Sequence, residues 1–238
     1  MERLDPGGSL TEQAHEALRS AIVAGELTPG RLYSVHELAA VLHVSRTPVR
    51  EALIKLAGES MVRFERNRGV RVLQATAHDL EEVFQLRLLL EVPATRLAAT
   101  RMSPAELDGL RLIHDEMCLI AASGDEGRFM RYDRRFHEVL LQASGNRRLT
   151  TFVSGLRDMV LTRGLCTAGA SRSLGDIARE HEEVLTRIEA RDPEAAAAAM
   201  RGHLLHTADL LIYQEFGCRS DVIDDWVSAA GSPPAVGI

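Results

Sequence analysis

Lysine is almost missing from this chain. Among 28 basic residues only Lys55 is a lysine, so the positive charge is carried by arginine. A guanidinium is a planar fork suited to phosphates and carboxylates, which an ammonium is not. Aromatic residues make up only 4% of the chain, with a single tryptophan, so its cores must be built from aliphatic side chains. The three cysteines, Cys118, Cys166 and Cys218, are odd in number, far apart and without CxxC spacing. That excludes a disulfide framework and a cysteine zinc site, and predicts free thiols in a reducing cytoplasm. No apolar run approaches the roughly 20 residues that span a bilayer, so no membrane partner is expected. The start, MERLDPGGSL, lacks the charged-then-apolar layout of a signal peptide. Repeats are absent.

What is present divides in two. A chain of 238 residues with 45% hydrophobic content is long enough for two domains, each with its own core. The net charge of −6 is unevenly placed: residues 1–74 carry ten basic and nine acidic side chains, and the remainder 18 and 25. Seven basic residues against three acidic fall within 46–71. Phosphate binding needs a local basic surface, not a basic protein, so this segregation predicts two domains with different tasks.

The first domain is expected over 1–74. Ser9 and Glu12 have capping-box spacing ahead of a helix that Gly25 ends. From His36 to Leu53, HELAAVLHVSRTPVREAL reads as two short helices with a tight break between them. Ser34 and Glu37 cap the first, Ser45 is the N-cap of the second, and Pro48 falls in its first turn. Arg46 and Arg50 lie four apart on the exposed face, beside Thr47. This is a helix-turn-helix whose second helix is built to enter a DNA groove. VRFERNRGVRV (62–72) alternates on both sides of Asn67-Arg68-Gly69, a hairpin that predicts a wing carrying Arg66, Arg68 and Arg71.

The layout LTPGRLYSVHELAAVLHVSRTPVREALIKLAGESMV, with SRTPVREAL at its centre, resembles the DNA-binding domain of the GntR family of bacterial transcription regulators. The resemblance implies a double-stranded DNA operator as partner. The DNA-facing set would be His36, Ser45, Arg46, Thr47 and Arg50, with Arg66, Arg68 and Gly69 on the wing. His36 is a departure, standing where DNA-contacting relatives have an arginine.

After a linker (75–79) the chain reads as an all-α domain over 80–216 and a tail over 217–238. Six helices are predicted, roughly 80–101, 104–122, 126–143, 147–163, 174–191 and 193–216. The fold class is thus mainly α, a winged helix-turn-helix followed by a six-helix bundle. Asp133 and His137, four apart, share one helix face, and His181 and His203 stand on the last two helices. Three imidazoles and a carboxylate suit a first-row divalent ion, and a bundle core can gather them.

LRLLLE (86–91), YDRRFHEVLLQASGN (132–146), EHEEVL (180–185) and AAAMRGHL (197–204) resemble the FCD domain that accompanies GntR-type DNA-binding domains. Six helices place it in the VanR-like branch. The resemblance implies a divalent metal held by Asp133, His137, His181 and His203, with His206 competing for the last place. Zinc, nickel and manganese all suit such a donor set. It also implies a small carboxylate effector, held in part by Arg87 and near Asn146. Arg87 alternatively pairs with Glu91, and Asn146 alternatively caps a helix. The expected function is a cytoplasmic, homodimeric regulator, a repressor, reading an inverted repeat with an operator affinity that drops when its effector binds. The alternatives are a metal-dependent enzyme using the same Asp/His cluster, and a ligand-independent dimeric DNA-binding protein.

Overall fold

The computed structural model describes residues 9–59, 61–66, 68–73, 76–161, 165–217 and 223. Its chain forms two compact units, Met1–Ala75 with Asp158–Gly164 and Thr76–Arg157 with Leu165–Ile238. The tail expected over 217–238 falls outside the described residues, save Gly217 and the buried Ile223.

In the first unit, α1 (Leu10–Val23) opens with the Ser9/Glu12 capping box. Two further helices follow, α2 (Val35–Val41) and α3 (Arg46–Gly58). Ser34 caps α2 by accepting the Glu37 N–H at 3.0 Å. The break between them turns on His43, which takes a left-handed φ of 55°. Leu18 from α1, Leu38 from α2, and Val49, Ala52, Leu53 and Leu56 from α3 are buried in one core. Val62, Val70 and Val72 close it from strands β2 (Val62–Glu65) and β3 (Gly69–Val72). The hairpin is joined by a two-residue strand, β1 (Leu32–Tyr33), giving an antiparallel sheet in the order β1-β3-β2. The third strand is an addition to the expected fold, because two residues are too few to show alternation.

Six further helices follow, all in the second unit except the end of α7 from Asp158 on: α4 (Ala77–Arg101), α5 (Pro104–Ser123), α6 (Glu126–Ala143), α7 (Arg147–Leu161), α8 (Leu174–Glu189) and α9 (Pro193–Phe216). Capping boxes at Thr76/Asp79, Ser103/Glu106 and Ser173/Asp176 start α4, α5 and α8. Gly124 and Gly217, both left-handed, end α5 and α9. The first of these boxes corrects the linker: Thr76 is the N-cap and Ala77 to Asp79 already belong to α4, so the helix starts three residues before the expected Leu80. The longest helices, α4 and α9, pack along each other. Phe84, Leu88, Leu110, Met117, Phe129, Phe136, Leu140, Leu204 and Ile212 are buried in the bundle. Cys118 and Cys166 form no disulfide, and Cys218 lies outside the described residues.

Candidate DNA-reading face and metal centre

On the first unit, the α3 N-terminus presents Ser45, Arg46, Thr47 and Arg50 as exposed residues, while Pro48 and Val49 beneath them are buried. Ser45 occupies the N-cap position, yet its side chain makes no capping bond. An acidic residue of the same helix, Glu51, and its C-cap, Glu59, are held by α1. Thr11 Oγ1 donates to Glu51 at 2.7 Å, and His15 Nε2 meets Glu59 at 2.7 Å. Arg46 and Arg50 have no ion-pair partner among the described residues, so the exposed face of α3 stays cationic where the helix dipole is also positive. His36 is exposed at the start of α2.

Arg66 and Arg68 are exposed at the wing, Arg68 within 3.3 Å of Glu65. Arg71 is different: it bonds Glu65 at 2.5 Å and also the Gly30 carbonyl, so it braces the sheet. Burial acts against the effect, but the Arg71 hydrogen bond holds the Glu65 carboxyl below its usual range. Gly69 has a steric duty. At φ 128° it packs against the backbone of β1, and a Cβ there would fall on the Tyr33 carbonyl oxygen.

In the second unit, α6 brings Asp133 and His137 to the bundle interior, α8 brings His181 and α9 brings His203; all four are at least 94% buried. The imidazole centroids lie 4.6–5.4 Å apart. One nitrogen from each ring lies within 4.8 Å of the other two. Each Nδ1 is committed elsewhere. That of His137 donates to Glu91 Oε2 at 2.6 Å, that of His181 to the Ile177 carbonyl at 2.8 Å, and that of His203 to Glu180 Oε2 at 2.7 Å. These bonds fix the tautomer and leave each Nε2 as a lone-pair donor, the arrangement found around bound metals. Nε2 of His137 and of His181 is buried with no hydrogen-bond partner. Burial lowers His137 to about 4 and His203 to about 3, so both rings are neutral donors at neutral pH.

Asp133 lies beside this triad. Its Oδ1 is 3.2 Å from His181 Nε2, without hydrogen-bond alignment, and its Oδ2 accepts from Arg157 Nη2 on α7. Two donors on one ion, at bonds of about 2.0–2.2 Å, lie roughly 3.0–3.4 Å apart. The Asp133–His181 separation matches such an edge. Burial would raise the Asp133 carboxyl, but Arg157 and His181 outweigh it and keep it ionised.

His206 is on the outer side, its side chain 54% exposed, and it donates Nδ1 to Glu180 Oε1 at 2.6 Å. Glu180 thus joins an inner and an outer histidine, and Arg172 adds a third bond at 2.5 Å. Arg172 also reaches Thr167 and Thr207, tying the 165–173 loop to α8 and α9. Arg87 is buried on α4 and donates Nε to Glu91 Oε1 at 2.7 Å, the same carboxylate that steadies His137. Burial works against the Glu91 charge, but Arg87 and His137 hold its carboxyl far below the usual range. Asn146 is exposed and caps α7, its Oδ1 accepting the Arg148 N–H at 3.1 Å. Sequence reasoning missed Glu180 and Arg157 as parts of the site. Glu180 adjoins His181, but no spacing rule marks it, and nothing in α7 singles out Arg157.

Known proteins agree with both halves. The model for bacterial regulatory proteins of the gntR family matches residues 10–72, and that for the FCD domain matches residues 82–206. The HTH-type transcriptional regulator LutR of Bacillus subtilis is 30% identical over 208 residues, covering 79% of this chain and 94% of the relative. A probable D-xylose utilization operon transcriptional repressor of Paenarthrobacter nicotinovorans is 31% identical over 196 residues, covering 82% and 86%. Among solved structures, a GntR regulator from Rhodococcus is 26% identical with a TM-score of 0.61, covering 86% of this chain and 98% of that one. Every one of these is a regulator, which removes the metal-dependent enzyme from the alternatives. The chain belongs to the gntR family of bacterial regulatory proteins, as a DNA-binding transcription regulator with an FCD domain.

Proposed function

We propose that this regulator is a repressor whose FCD domain binds a divalent metal ion through His137, His181, His203 and Asp133, and that a small carboxylate effector beside the ion modulates operator binding. The observation that carries the reading is the pair of buried, partnerless Nε2 atoms converging with His203, each ring held from behind by a carboxylate or carbonyl. A buried nitrogen lone pair left unsatisfied costs about 1–3 kcal/mol, so the two such rings, turned toward His203, favour an occupant. Bound there, a divalent ion supplies positive charge and open positions for a carboxylate. Zinc, nickel and manganese all fit the donor set.

Arg46, Thr47 and Arg50 would meet the major groove, with Ser45 and His36 at its edge and Arg66 and Arg68 on the adjacent backbone or minor groove. Gly69 shapes the wing that carries them. A homodimer would place two such faces on an inverted repeat, in the cytoplasm where the chromosome lies. Effector binding would alter how the half-sites are matched, and with it operator affinity.

Elemental analysis of protein purified without chelator tests the core of this reading. One divalent ion per chain is expected, largely lost in His181→Ala; full retention by that variant would sink the site.

A further inference from the structure

Among the described residues, the backbone turns left-handed at seven glycines and at only two other positions, His43 (φ 55°) and Arg191 (φ 56°). A side chain at such a position crowds its own backbone, which glycine avoids. Arg191 has an internal contact to set against that crowding. Its Nη1 donates to the Ala99 carbonyl at 3.2 Å and ties the α8–α9 turn to α4. His43 has none. Its backbone N–H closes the turn on the Ala40 carbonyl at 3.3 Å, a bond that a glycine would make equally well. Its imidazole is exposed and meets no hydrogen-bond, ion-pair or ring partner among the described residues. Leu42 and Val44 on either side pack on the core of the first unit, so the ring between them stands clear of that core.

Neighbouring residues decide what could meet such a ring. His43 lies two residues ahead of Ser45, whose hydroxyl makes no capping bond, and the exposed Arg46 and Thr47 follow directly. From His43 to Arg50 the chain reads HVSRTPVR, two arginines and a histidine with no carboxylate among them. An imidazole N–H in that stretch is a donor suited to an anion. In a helix-turn-helix the first helix crosses the sugar–phosphate strand and the second enters the groove beside it. The turn between them therefore passes close to phosphates, ahead of the side chains that reach base edges.

Resting on the reading of α3 as the helix that enters the groove, we propose that His43 is a DNA-contacting residue whose imidazole donates to a backbone phosphate beside the α3 N-terminus. The contact fixes how deeply and at what register α3 sits, and reads no base. The left-handed side chain at position 43 serves the complex with DNA and not the fold.

The test compares the full-length parent with His43→Gly on two duplexes, one enriched by the parent from a random pool and one with that sequence scrambled. Glycine takes the left-handed turn freely, so the variant should melt at or above the temperature of the parent. Fluorescence anisotropy should show roughly tenfold weaker binding to both duplexes, the loss expected of one hydrogen bond to a charged oxygen. Ethylation interference should reveal a phosphate whose modification hinders the parent and is indifferent to the variant. Unchanged affinity overturns the proposal. So does a loss confined to the enriched duplex, the mark of a base contact. A lower melting temperature means that the ring supports the fold, and overturns it as well. Arg50→Ala, run alongside, separates the two readings. If that variant also binds the enriched duplex like the parent, the assignment of α3 fails and takes this inference with it. If only Arg50→Ala weakens binding, the inference about His43 fails alone.

Discussion

Arg50 and Gly69 show how differently two residues of one DNA-binding domain carry their roles. Arg50 is exposed and unpaired among the described residues, so its removal leaves the core under it, Val49, Ala52 and Leu53, untouched. Arg50→Ala should weaken operator binding by about 1–3 kcal/mol in fluorescence anisotropy while the melting temperature stays. Parent-level affinity in that variant would mean that α3 is not the reading helix. Gly69 behaves in the opposite way. Its φ of 128° and its contact with Tyr33 leave no place for a Cβ, so Gly69→Ala should cost at least about 1 kcal/mol of stability in denaturant unfolding. The loss of DNA affinity should follow from the displaced wing. Equal stability of parent and variant would show that β1 yields to the methyl group.

Helices were legible in the sequence to within a few residues because each carries its own boundary chemistry. Ser9/Glu12, Ser34/Glu37, Asp192-Pro193 and the closing Gly217 all act within a few residues of the termini they set. The box at Ser103 gives a test at this scale. Glu106 accepts from the Ser103 N–H at 2.8 Å and hydroxyl at 2.7 Å, and these bonds lower its carboxyl below the ordinary 4.5. A folded-state value below the unfolded one stabilises fully above pH 4.5 and loses that contribution as pH falls through it. The stability gap between parent and Glu106→Ala should therefore be present at pH 7 and close toward pH 3. A gap independent of pH would show that the carboxylate does not cap. What was not legible joins elements distant in sequence. β1 shows itself only by pairing with β3, 39 positions on at Leu32↔Arg71 and 37 at Tyr33↔Val70. Arg157 matters only because α7 packs beside Asp133, 24 residues away. Arg87 could be read either as a ligand group or as a partner of Glu91, and only packing decided how its Nε is used.

At the scale of the whole molecule, each of the three imidazoles of the second unit is braced by a group of the bundle itself. Glu91, Ile177 and Glu180 orient the three rings through the bundle's own helices. Chelation should accordingly lower the melting temperature while helical circular dichroism at 25 °C stays constant; a collapse of helix content would contradict a preformed site. Where free metal exceeds its Kd a hundredfold, the stabilisation lost on chelation is about 2.7 kcal/mol. That outcome would set the domain apart from a zinc finger, whose binding energy is its folding energy.

The balance of arginines and carboxylates around the histidines, Arg87 with Glu91, Arg157 with Asp133 and Arg172 with Glu180, has a further consequence. A divalent ion bound by the histidines would add a surplus of two positive charges that an acid could offset. Under the proposed function, acid and ion would then be inputs to a conjunction: the regulator would report the acid only in a cell that is supplied with the metal. Linkage makes the dependence mutual, because whatever factor the ion adds to the affinity for acid, the acid must return to the affinity for the ion. A cell accumulating the acid would therefore hold the metal on this protein more tightly, even as its supply declines.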